Sequence, residues 1–505
     1  MPGNSDFPAP VYAETVLEVN FRDAQRHFLD PLLEIHYAHT LMLARQGIIP
    51  GAAAQRCIEG LDKLDRAGLA SAPYDGRSED LFFYVEQALA RLCGVENSGR
   101  MHTARSRNDI DITQYRMRLR SEIVEILRRL NASRGVLLQL AKEHVHTLMP
   151  AYTHTQPAQP ITLAHYLLAV IELMGRDERR LQAAFATVNR CPLGACAIST
   201  TGFPIDRYFT AALLGFDGLQ LNSYGAIAAT DYLTETLGAV ATAMVNLGRV
   251  TQDFLLWSTA EFGYLRLSDA WVQISSIMPQ KRNPVPFEHV RAISSKALAQ
   301  AQGVIAVLHN TPFGDINDAE DDLQPLVFGA TADAIRAIRI FGGVMPECEV
   351  DKRRMAQRAG SDFLTVTELA DTLVRREEMS FRQAHELVSA GVKDLRGRYS
   401  DTGMVDSVMA LAPAILGRPL ETRREELLEA LDPVRFVRIR SIPGGPAEEA
   451  VRPALIEAEE HLSEVAVWIE ERSAGLAAYP QRIRRACREL EDSLLIRRGR
   501  MEPGT

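Results

Sequence analysis

GAIAATDYLTETLGAVATAMVNLGRVTQDFLLW, residues Gly225 to Trp257, decides the fold. The stretch is free of proline and rich in alanine, and as one helix it would extend about 50 Å at ~1.5 Å per residue. Its small residues let neighbouring helices approach closely. Working outward, Arg116 to His146 carries Leu119, Ile123, Ile126, Leu127, Leu130, Leu137 and Leu138 at helix-face spacing. Thr162 to Val188 repeats the pattern between Pro160 and Pro192, and Pro286 to Leu308 and Leu323 to Phe341 supply two more helices, with Pro286 suited to a first turn.

Five long helices in the middle third predict an all-α protein built on a central bundle. Their apolar residues spread around much of each circumference, so another subunit is expected to cover part of them. Shorter helices broken by Gly and Pro flank the bundle, including the run Ile442-Pro443-Gly444-Gly445-Pro446. The expected division is therefore residues 1–112, 113–360 and 361–505, three helical domains, as a chain of 505 residues leads one to expect. Arg482, Arg484, Arg485, Arg488, Arg497, Arg498 and Arg500 alternate with glutamates and apolar residues, as on a solvated amphipathic helix.

A net charge of -9 argues against a surface built wholly for nucleic acid or acidic membrane. Six cysteines without CxxC spacing read as reduced thiols, and neither a signal peptide nor an apolar run of ~18 residues is present, so a soluble cytoplasmic protein is expected.

Three polar islands interrupt the apolar sequence. His102-Thr-Ala-Arg-Ser-Arg-Asn-Asp109 gathers guanidinium, hydroxyl and amide donors before the first long helix, a set suited to carboxylates, although a helix cap with surface arginines would look similar. Tyr152-Thr-His-Thr-Gln-Pro-Ala-Gln-Pro160 holds an imidazole that titrates near neutrality, able to serve as acid or base or simply as a hydrogen-bonded structural group. Ser275-Ser-Ile-Met-Pro-Gln-Lys-Arg-Asn-Pro284 puts two hydroxyls, a cation and an amide in one loop, with Glu288 following in a helix. Depressing a serine pKa takes ~1.36 kcal/mol per unit, so a serine base needs positive charge and amides beside it. The same charges would stabilise the dianion formed when a carbon next to a carboxylate loses its proton.

Together, in this order and spacing, the islands resemble the fumarase/aspartase superfamily, from about Phe28 to Arg452. Ser106-Arg107-Asn108-Asp109, Pro192-Leu193-Gly194, Phe203 to Arg207, Ala260 to Gly263 and Phe381 to His385 look like its argininosuccinate lyase branch. The resemblance implies anti elimination of an N-substituted aspartate to fumarate and an amine, with no metal or organic cofactor. It implies a homotetramer with a twenty-helix core and active sites shared by three subunits. Ser275 would be the base and Lys281 and Asn283 would bind the aci-carboxylate. Thr153 and His154 would position the fumarate-forming half, with His154 paired to Glu288 and near the departing nitrogen, and Gln159 would bind substrate. Ser106, Arg107, Asn108 and Ser276 would hold carboxylates.

Departures from the pattern fall in other places. Ile274 stands where a Gly usually precedes the serine pair, which could stiffen a loop expected to close over substrate. Gly314, Ala319 and Asp322 stand for the Tyr, Gln and Lys that bind the amino-acid end of arginine, with Asp315 in the same segment. His36 stands for a Ser, and Phe82 for a His. Asp322 reverses a charge, so the amine pocket should prefer a cation or neutral group. Three readings stay open: argininosuccinate as substrate; another N-succinyl amine, such as the aminopolycarboxylate ethylenediamine disuccinate; and an inactive, crystallin-like structural relative.

Overall fold

The structure, a computed structural model, describes residues 7–499. Arg500 of the arginine run lies outside them. Among the described residues the fold is all-α apart from three two-stranded ribbons. The bundle consists of α1 (Arg107–Glu143), α2 (Leu163–Val188), α3 (Asp231–Trp257), α4 (Val285–Leu308) and α5 (Gln324–Val344). Each packs on the next and α5 returns to α1, closing a ring.

The apolar face read from Leu119 to Leu138 is buried throughout. Phe254 of α3 meets Phe287 of α4 and Phe341 of α5 at centroid distances of 6.0 and 5.8 Å, stitching three helices. Close approach is enforced at Gly342, where an added Cβ would stand 2.4 Å from Ser133 Oγ of α1.

Two helix boundaries differ from expectation. The Gly225–Trp257 run is two helices, Ser223–Ala228 and α3, because Ala229 turns extended (ψ 121°) and Thr230 leads into a new start. α3 is thus nearer ~40 Å. α1 begins nine residues before Arg116, behind the N-cap Ser106, and Ile112 and Tyr115 in its first turns already continue the apolar face of Leu119 and Ile123.

The second island, expected simply to lead into a helix, forms a ribbon of β1 (Leu148–Thr153) and β2 (Gln156–Thr162). Three prolines within these strands pair at positions a two-stranded ribbon tolerates. The other ribbons pair β3 (Leu265–Leu267) with β6 (Cys348–Val350), and β4 (Gln273–Ile274) with β5 (Arg282–Asn283).

Residues 369–431 build a separate small core. The final helix α6 (Glu448–Gly499) does not join that core. It runs along α1 and α2 and reaches the amino-terminal helices, burying Val451, Leu455, Val465 and Ile469 in the bundle core and Ile483 in the amino-terminal one. By packing, the end of the chain therefore straps two cores rather than completing a third. Arg484 of this helix pairs with Asp62 and lies 4.7 Å over the Tyr37 ring. All six cysteines are free. Among the described residues, no helix is long and apolar enough to cross a membrane.

Candidate active site

The first island is the N-terminus of α1. Ser106 is the N-cap in extended conformation, and the Asp109 carboxylate accepts its backbone N–H at 3.0 Å. The Ser106 hydroxyl donates to Asn108 Oδ1 at 2.6 Å, and Asn108 Nδ2 donates to Asp315. Arg107, expected to grip a substrate carboxylate, is already held at 2.8 Å by Asp80 and 3.0 Å by Glu79. Against the cost of burial, those two carboxylates raise its pKa further above the ordinary value.

Arg107, Asn108, Asp315, Asp80 and Glu79 line a cavity of about 220 Å³, which Ser106 and Asp109 do not reach. Besides Glu79, its acids are Asp80, Asp111, Asp315, Glu320, Asp321 and Asp322, and Arg107 is its only cation among the described residues. Burial, then the hydrogen bond and charge of Asp315, then the charge of Asp321 push Glu320 up to about 8. Asp111 is raised well above its ordinary value by burial and the nearby Asp321, and Asp321 itself is raised by burial although Tyr115 donates to it at 2.6 Å. Asp315 and Asp322 thus lie in the Asn108 cleft. His36 lies behind it, fully buried, with Nδ1 facing Arg105 Nη1 at 2.8 Å. Burial and the Arg105 charge hold its pKa well below the usual range, and neither His36 nor Arg105 lines the cleft.

The second island is the hairpin turn. His154 and Thr155 have φ of 52° and 61°, the left-handed pair that a two-residue turn demands, here without glycine. Strain of ~1 kcal/mol or more per residue is a frequent companion of functional sites. The imidazole is exposed at the tip, next to a cavity of about 480 Å³ that Thr155 helps to line. Gln159 lies further along β2 and donates to Thr367 Oγ1 at 3.2 Å.

The third island is the loop joining β4 to β5. Ser275 Oγ accepts from the Met278 and Ile277 amides at 3.1 and 3.4 Å. Amide donors of this kind favour a developing alkoxide. Lys281 and Asn283 line a cavity of about 850 Å³ beside the loop, together with Arg266, Arg282 and Lys352. Asn283 is fixed by a 3.0 Å bond to the Gln273 carbonyl. Ile274 and Ile277 are 76% and 82% exposed, leaving the loop's apolar side uncovered. Within one chain, and among the described residues, no hydrogen bond joins His154 to Glu288, and the three islands border three different cavities.

A family model described as Lyase matches residues 30–299, and one described as Argininosuccinate lyase C-terminal matches 363–438. Argininosuccinate lyase 2 of Agrobacterium fabrum is 42% identical over 89% of this chain and 90% of its own length. The chain belongs to the argininosuccinate lyase branch of the fumarase/aspartase superfamily. Argininosuccinate lyase of Methanoculleus marisnigri is 38% identical over 90% of this chain and 92% of its own. Among solved structures, EDDS lyase in complex with formate superposes with a TM-score of 0.85 at 30% identity, covering 96% of this chain and 98% of that one. A class II fumarase from Schistosoma mansoni shares the fold alone, at 15% identity and a TM-score of 0.67 over 84% of this chain and 92% of its own. This branch member is a carbon–nitrogen lyase, and the relatives support fumarate as a product.

Sequence reading missed Glu79, Asp80, Asp111, Glu320 and Asp321 as walls of the cleft. Glu79-Asp80 stands directly before the Leu81-Phe82 pair whose departure from the pattern was visible, so the signal was present. Asp111 was hidden inside a helix start that apolar periodicity placed too late.

Proposed function

We propose that the enzyme removes the β-proton of an N-substituted aspartate with Ser275 and expels a cation-bearing amine, leaving fumarate. Lys281, Asn283 and the loop amides stabilise the aci-carboxylate. Thr153, His154 and Gln159 border the fumarate-forming half, His154 near the departing nitrogen and oriented by Glu288 of another subunit. Ser106, Asn108 and Ser276 hold carboxylate oxygens. Arg107 contributes by positioning the Asp80 wall rather than by receiving substrate directly. The assembly is a homotetramer in which three copies complete each site; the separation of the islands into three cavities supports this.

The amine half is read from one observation, the acidic cleft beside Asn108. A unit charge at about 6 Å in an effective dielectric near 20 is worth ~2–3 kcal/mol. A far carboxylate on the amine half would meet that repulsion from each acid of the cleft that stays ionised, Glu320 being protonated near neutrality, while an ammonium or guanidinium would be attracted. This favours a cation-ended amine over ethylenediamine disuccinate, whose second half adds two carboxylates. Argininosuccinate is intermediate, bringing an ammonium and a carboxylate together; the named relatives favour it as the second reading.

The test is ultraviolet-detected fumarate release from argininosuccinate, ethylenediamine disuccinate, adenylosuccinate, aspartate and an N-succinyl diamine. The diamine derivative should show the highest kcat/KM. Faster turnover of ethylenediamine disuccinate would overturn the cationic reading, and the absence of fumarate from every substrate would overturn the reaction.

A further inference from the structure

Asp109 is fully buried in the first turn of α1, yet its carboxylate touches none of the cavities described. Both oxygens are used on backbone. Oδ1 accepts from Ser106 N at 3.0 Å, and Oδ2 accepts from Gly194 N at 2.7 Å and Cys196 N at 3.0 Å. The last two donors lie 85 and 87 residues away in sequence.

Those two amides belong to a rigid anchor. Gly194 has φ +88°, and a Cβ there would stand 2.6 Å from Arg207 Cγ. The Arg207 guanidinium donates to the carbonyls of Pro192, Leu193, Gln220 and Leu221, pinning the loop from behind. Cys196 Sγ also donates to the Ala104 carbonyl at 3.3 Å, on the other side of Ser106 from Asp109. The turn carrying Ser106 and Asn108 is thereby gripped at both ends by the same loop.

We infer that Asp109 is a positioning residue: it staples the Ser106–Asn108 turn to the Gly194–Cys196 loop and so sets the geometry with which Ser106 and Asn108 meet the fumarate-forming half of the substrate. A cap made only to start α1 would need the Ser106 bond alone; the two cross-loop bonds do nothing for helix initiation. Carboxylate is also the side chain suited to the task, because charge-assisted bonds to amides are short and directional.

The inference rests on the proposed role of Ser106 and Asn108. Asp109→Asn keeps one carbonyl oxygen for Gly194 and Cys196 and turns an amide toward Ser106 N, whereas Asp109→Ala removes all three acceptors. In the assembled protein, fumarate affinity and the KM of the best substrate should weaken by about tenfold for Asn and more for Ala, on the scale of displacements below 1 Å in an oriented site. kcat at saturation should fall much less, since Ser275 is on another loop. A merely structural role would lower the melting temperature without this KM effect, and a folded Asp109→Asn with fumarate affinity within twofold of wild type would overturn the staple. Hydrogen exchange in wild type tests it without a variant: saturating fumarate should slow peptides 104–109 and 192–198 together. Slowing of the first without the second would equally overturn it. Wild type that neither binds nor forms fumarate would instead remove the parent reading, while exchange of 192–198 in Asp109→Asn still reports the staple itself.

Discussion

Asp322→Lys is the sharpest test of what the cleft selects. Asp322 sits exposed in the short turn Asp321–Leu323, at the edge of the cavity that holds Asn108 and Asp315. Its exposure calls for an effective dielectric well above that of an interior site, so one unit charge at about 6 Å is worth ~1 kcal/mol rather than the ~2–3 of a buried pair. Reversal changes two units, giving ~2 kcal/mol, or about thirtyfold in relative kcat/KM for a substrate carrying a carboxylate there. The lysine should also lower the pKa of Asp321, to whose elevation Asp322 adds after burial and Asp80. The assay is kcat/KM for argininosuccinate against an N-succinyl diamine, at low and high salt. The variant should move preference toward argininosuccinate, and salt should shrink the shift. An unchanged ratio at low salt would remove Asp322 from substrate selection.

Ser275→Ala should keep the fold and melting temperature near wild type, because the exposed hydroxyl accepts only loop amides, while turnover falls at least a hundredfold (~2.7 kcal/mol); near-normal turnover would displace Ser275 as base. Glu320, ordinarily near 4.5 and raised to about 8 in the fold by burial and then Asp315, holds a proton in the native state that the unfolded chain has released. Its stabilising contribution is complete below 4.5 and is lost as pH rises to 8; Glu320→Gln should reduce the slope of melting temperature against pH in that window by the share that Glu320 contributes beside Asp111 and Asp321. Gly342→Ala, whose Cβ would press on Ser133 Oγ, should cost ~1–3 kcal/mol in denaturant unfolding without altering KM. Stability unchanged in that variant would mean α1 and α5 can separate freely.

The five bundle helices were legible because each turns a continuous apolar face inward, and apolar spacing survives in sequence whatever the tertiary context. The features that escaped are those whose cause is not local periodicity. The first turn of α1 runs through Arg107, Asn108 and Asp109, a polar run that reads as a loop, although Ile112 and Tyr115 just after it already lie on the buried face. The β1–β2 ribbon is proline-studded and its turn is left-handed at His154 and Thr155, so no glycine announced it. The break before α3 falls in an alanine run that would suit a continuous helix. The Asp109 staple joins residues 85 positions apart and needs three dimensions to be seen. At the site, Ser275, Lys281 and Asn283 were visible as one loop, but the occupation of Arg107 by Asp80 and Glu79 was not, since an arginine beside a serine and an asparagine reads as a free carboxylate receptor.

That occupation changes how charge is distributed over the proposed reaction. With Arg107 committed to Glu79 and Asp80, the first island supplies dipoles, the Ser106 hydroxyl and the Asn108 amide, rather than a free cation. The cations instead gather at Lys281, Arg266 and Lys352 beside the Ser275 loop, where Arg282 is paired with Asp269 and Glu349 and Asp351 are the acids of the lining. A substrate spanning both would place its dianionic, aci-carboxylate end against the basic cavity and its amine end against the acidic one, so the charge separation of elimination would run down the field of the site. In a single chain those cavities are separate, and among the described residues His154 has no side-chain hydrogen bond at the hairpin tip. Closure of the circuit therefore falls to the proposed assembly, in which the uncovered Ile274 and Ile277 of the serine loop would also find cover.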